Sequence, residues 1–97
     1  MARNNNVAIV RNEWTQLTNA NASAIRVQER GGSELMLQAT NGTTAPTGQE
    51  GVIVLIGGGV LAADLTIAQL WPGVAGANRV WGFANINSLA SVSHADA

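Results

Sequence analysis

Apolar and polar residues alternate with a two-residue period in several stretches of the chain, and clusters of Gly, Asn, Thr and Ser separate those stretches. A period of two puts alternate side chains on opposite faces of a strand, so each stretch predicts a strand with one face buried. Residues 1–6 are polar and predict a flexible N-terminal segment, ahead of a single β domain over residues 7–97. Val7–Val10 is short, apolar and β-branched and predicts a first strand, with Trp14, Gln16 and Leu17 continuing it after a polar break. Residues 24–28 place Ile25 and Val27 on one face and Arg26 and Gln28 on the other. Leu35, Leu37 and Ala39 share a face of the stretch that follows. Gly31 and Gly32 lie between these two runs, the form of a hairpin.

The second half reads less evenly. Residues 41–51 carry Asn-Gly, Pro and Gly and predict an irregular loop. Residues 51–57 are almost continuously apolar and predict a central strand buried on both sides. Beyond Gly57-Gly58-Gly59 the period is ambiguous. Val60, Ala63, Ile67 and Leu70 fit one helical face, whereas Leu65 and Ile67 fit one strand face. Thr66 and the neighbouring glycines favour the strand, then a tight turn over Ala68–Trp71 that Pro72 terminates. Val80, Gly82 and Ala84 alternate with Trp81 and Phe83, and a last strand over residues 89–95 sets Ala90 and Val92 on one face. Roughly seven short strands with turn residues between them predict an all-β fold, a small β-sandwich or partly open barrel.

Composition narrows the function classes. Of the 97 residues, 46% are hydrophobic and 11% charged, lysine is absent, and the net charge is −1. No clustered positive surface is available for phosphate contacts, so direct nucleic-acid binding is not expected. So weak a charge on so small a chain fits a protein that works docked or in a symmetric assembly. Cysteine is absent, which excludes disulfides and thiolate metal sites and favours an intracellular origin or oligomeric support. The start lacks a signal-peptide pattern, and the longest apolar run, residues 51–63, is shorter than the roughly 20 residues that span a bilayer, so no membrane partner is expected.

Candidate chemistry is sparse. Gly57, Gly59 and Ala62 follow an apolar run in the G-x-G-x-x-A spacing of a dinucleotide-binding turn. No acidic residue lies about 20 positions on, so the stretch reads as a glycine-rich strand turn. His94 is the sole histidine, and Glu13, Glu29, Glu34, Glu50, Asp64 and Asp96 show no ligand spacing with it. Ser93 beside it points to the opposite strand face, and no nucleophile elbow is present. No catalytic, cofactor-binding or metal residue is assigned, and an enzyme is not expected. Trp14, Trp71 and Trp81 fit either a sugar-binding platform or anchors in a core or subunit interface. Trp71-Pro72-Gly73 reads as an anchored turn; Trp14, Trp71, Pro72, Trp81, Phe83 and His94 are the expected core or interface anchors.

Leu70-Trp71-Pro72-Gly73, Arg79-Val80-Trp81 and Ser93-His94-Ala95, in that order across residues 7–95, resemble small virion proteins of tailed bacteriophages. The resemblance is to capsid decoration (cement) and head-fibre-base proteins. It implies a β-rich homotrimer, assembled in the host cytoplasm, that binds the major capsid protein and stabilises the head. A tail, neck or spike component and a carbohydrate-binding module are the alternatives.

Overall fold

The computed structural model describes residues 2–96. Eight strands and one turn of helix follow the order β1 (Arg3–Ile9), β2 (Thr15–Gln16), β3 (Arg26–Glu29), β4 (Leu35–Thr40), β5 (Ile53–Leu55), β6 (Val60–Leu61), α1 (Ile67–Leu70), β7 (Arg79–Phe83) and β8 (Ser88–His94). They form two four-stranded antiparallel sheets, ordered β1-β8-β3-β6 and β2-β7-β4-β5. The two sheets pack together as a small all-β sandwich, the class that the alternation predicts.

The inward phase of each strand fills the core. Ile9, Val27, Ala90 and Val92 from the first sheet meet Leu35, Leu37, Leu55 and Val80 from the second. Leu17, Ile25, Ile67 and Trp71 belong to the same cluster. Gly82 sits on the inward phase of β7, where a Cβ would stand 3.2 Å from Leu35 Cδ1 and 3.4 Å from Ile9 Cδ1. The space a side chain needs is already filled by leucine and isoleucine tips, which accounts for a glycine in the middle of a strand.

The structure departs from the sequence expectations in five places, the first being that Thr15–Gln16, expected to continue the first strand, pair with Trp81 and Gly82 in the other sheet. The first strand begins at Arg3 rather than Val7, so Arg3–Asn6, expected as a flexible segment, pair with Ser91–His94. The strands flanking Gly31-Gly32 do not form a hairpin. β3 is flanked by β8 and β6, and β4 by β7 and β5, so both ladder positions of each are taken. The connection therefore crosses from one sheet to the other. A Cβ on Gly31 would lie 2.0 Å from Ser88 Oγ, and Gly32 has φ +79°, so neither position suits a side chain. The apolar run after Gly51 is an edge strand, not a central one: Leu55 faces the core while Ile56 is 70% exposed.

The last departure is at residues 65–70, where the expected strand is a single helical turn. Thr66 caps it, its Oγ1 accepting from Gln69 N at 3.1 Å while its own backbone N–H donates to Gln69 Oε1 at 2.9 Å. This reciprocal capping box offsets the high cost of starting a helix. Ile67 is buried beneath it, and its N–H donates to Ser23 O at 2.6 Å, which ties the turn to the loop before β3.

Candidate docking face

The two outer faces of the sandwich differ in character. On the β1-β8-β3-β6 sheet, register aligns Asn4, Ser93 and Arg26 in one row and Asn6, Ser91 and Gln28 in the next. The first row is polar; the second ends on exposed Val60 of β6, and Ala8 and Leu89 form a further outward pair. The β2-β7-β4-β5 sheet instead carries apolar side chains outward. Val80 and Gly82 point to the core, so the alternation of β7 turns Trp81 and Phe83 outward, and that of β4 turns Met36, Gln38 and Thr40 outward. Val54 pairs with Met36, Met36 pairs with Phe83, and the Phe83 ring packs on Trp14 with centroids 5.2 Å apart and planes tilted by 49°. Val54, Met36, Phe83 and Trp14 thus form one apolar row that runs across the sheet. A tilted aromatic pair at this distance is attractive beyond its area, so Trp14 and Phe83 hold each other in place within the row.

A second row flanks it. Trp81 lies between Gln38 on β4 and Gln16 on β2. Its indole Nε1 donates to Thr40 Oγ1 at 2.8 Å, and the Gln38 amide donates to the Glu50 carbonyl. Trp81 is only 7% exposed although it lies outside the main core cluster. Its neighbours on the sheet surface cover it, so it acts as a floor under the row rather than as an open ring.

The remaining expected anchors separate. Trp71 is 4% exposed within the core cluster, and its Nε1 donates to Gly51 O at 2.9 Å, joining the segment after α1 to the 41–52 loop. Pro72 beside it is exposed. A shallow cleft of about 330 Å³ lies there, lined by Gln38, Glu50, Leu70, Trp71, Pro72 and Val74. The three tryptophans therefore do not form one platform, and neither Trp71 nor Trp81 offers an open ring face to a sugar. His94 is buried at the far end of β8, its Nε2 3.4 Å from Asn19 N and its Nδ1 3.1 Å from Ala95 O. Among the described residues no group of three His, Asp or Glu side chains converges. Gly57–Gly59 turns directly into β6, with no helix N-terminus behind it, and Gly58 N–H is taken by Glu29.

Glu29 continues the inward phase of Ile25 and Val27 and is completely buried. Its Oε2 accepts from Gly31 N at 2.7 Å and Ser88 Oγ at 2.9 Å; its Oε1 accepts from Gly32 N at 3.0 Å and Gly58 N at 3.2 Å. Burial alone pushes a carboxyl pKa up, but the Ser88 hydroxyl and the backbone N–H groups of Ser33, Gly58 and Gly31 outweigh it and hold Glu29 below its ordinary value. One carboxylate thereby ties the β3–β4, β5–β6 and β7–β8 connections together at one end of the sandwich.

The chain matches no family model, and no significant similarity links it to a curated protein or to a solved structure.

Proposed function

We propose that this protein is a structural component of a virus particle, which attaches to the major capsid protein through the outer face of the β2-β7-β4-β5 sheet and stabilises the head. The observation that carries the reading is the row Val54–Met36–Phe83–Trp14, an aromatic and aliphatic row across one sheet face, while the opposite face is mainly Asn, Ser, Arg and Gln, with Val60 at its edge. A row of this kind has no core of its own to fill, and aromatic and methionine side chains at the centre of a patch are the residue types that supply binding energy between proteins. The low charge and the sequence resemblance to capsid decoration proteins support the same reading. A tail, neck or spike position would use the same contact chemistry, and the number of copies per particle separates it from the head.

The test is occupancy on undecorated heads. Met36→Lys puts a charge into the middle of the row, whereas Ser93→Lys puts one on the polar face. The first variant loses occupancy and the second keeps it, with both folded by circular dichroism. Wild-type occupancy by Met36→Lys would move the docking face elsewhere, and failure of the unaltered protein to bind heads would end the capsid reading.

A further inference from the structure

A sandwich has four sheet edges, and three of these are short: β2 and β6 have two residues each and β5 has three. Short edges give little purchase to another chain's backbone. The fourth edge, β1, has seven residues. It also lacks the usual guards. β1 contains no proline and no lysine, and its single charge, Arg3, lies at the end of the strand. Asn4, Asn5 and Asn6 are exposed in succession, so both faces of the strand are open there.

We propose that β1 is the docking edge for a second copy of this chain, joined antiparallel about a two-fold axis so that two four-stranded sheets become one of eight. Full overlap of the seven residues fixes the register. Asn6 faces its own copy, Asn5 faces Val7, Asn4 faces Ala8, and Arg3 faces Ile9. This pairing is self-complementary, as a two-fold contact requires. The two Arg3 side chains end up at opposite ends of the ladder, and uncharged amides occupy its middle. Ser91 Oγ donates to Asn6 Oδ1 at 2.8 Å, while the Asn6 amide nitrogen has no partner among the described residues. Across the axis each nitrogen donates to the other copy's Oδ1, which has a second lone pair. The main-chain groups on the open side of β1 supply the rest of the contact.

A three-fold ring joined by sheet edges would need β1 to pair with a different edge. β2, β5 and β6 each offer two or three residues against its seven. The edge geometry therefore favours a two-fold pair over the trimer that the sequence resemblance implies. The pairing leaves the Val54–Met36–Phe83–Trp14 face free, and it does not depend on attachment to a capsid.

Charge exchange at Asn6 tests the register. Sedimentation from nanomolar to high micromolar concentration should show a reversible monomer–dimer equilibrium for the wild type. Asn6→Lys alone and Asn6→Asp alone each set like charges face to face and weaken the dimer at least about fivefold. An equimolar mixture of the two restores it as a heterodimer. Hydrogen exchange on the unaltered protein gives a readout that needs no variant: β1 amides slow as concentration rises. A wild type that stays monomeric, a trimer, or self-association indifferent to both substitutions would overturn the proposal. So would β1 amides that exchange equally at all concentrations.

Discussion

Replacing Glu29 with glutamine preserves shape and removes the charge, and the arrangement around it fixes the cost. Beside the Ser33 N–H, four donors divide into two pairs, Gly32 N and Gly58 N on Oε1, Gly31 N and Ser88 Oγ on Oε2. An amide NH2 at the Oε1 position would confront two backbone N–H groups. At the Oε2 position it confronts only one, because the Ser88 hydroxyl can reverse and accept. Glutamine therefore settles with its nitrogen towards Ser88 and leaves the Gly31 N–H without a partner. Losing that bond, one made to a charged carboxylate, costs about 1.5–3 kcal/mol. For a domain of this size that lowers the melting temperature by roughly 5–20 °C. Thermal melts followed by circular dichroism give the comparison.

The pH dependence supplies the sign. The pKa of Glu29 is depressed in the folded protein, so its contribution is fully present above the unfolded-state pKa and is lost as pH falls through the folded value. The gap between wild type and Glu29→Gln is thus widest at neutral pH and closes on acidification. An unchanged melting temperature for Glu29→Gln at neutral pH, or a gap that widens in acid, would refute the reasoning.

Gly82→Ala brings a methyl group 3.2 Å from the Leu35 tip and into ordinary contact with Ile9 and Leu17, so it costs at the low end of overpacking, about 1 kcal/mol, read from the urea midpoint. Thr66→Ala removes the cap of α1 and costs about 1 kcal/mol by the same measurement. With 11% charged residues, head occupancy changes little between about 50 and about 500 mM salt, whereas a nucleic-acid binder would detach.

Local alternation made much of this fold legible. Leu35, Leu37 and Ala39 against Met36 and Gln38 settle which face of β4 is buried, whereas in β7 the alternation of Val80 and Gly82 with Trp81 and Phe83 does not, because Trp81 is buried as well. What alternation does not carry is which strand lies beside which. Gly31-Gly32 signals that the chain reverses, but reversal within a sheet and passage between sheets use the same residues. The sandwich chooses the second because β3 and β4 already have two neighbours each. The same gap hid the proposed docking face. Trp14 and Phe83 stand out in the sequence, whereas Met36 and Val54 join them only through register. Glu29 was readable as an acidic residue on the inward phase of Ile25 and Val27. Its donors come from residues 31, 32, 33, 58 and 88, and only folding brings them together. The Thr66–Gln69 spacing was a local signal for a helix start that the apolar spacing of Leu65 and Ile67 obscured.

The central claim is that the apolar row across the β2-β7-β4-β5 sheet is the surface through which this protein meets a capsid. A density map of heads saturated with it addresses that directly. The expected map shows copies at regular positions on the capsid lattice, with Trp14, Met36, Val54 and Phe83 buried against the major capsid protein. Copies bound with that row open to solvent, or heads with no added density, would contradict it.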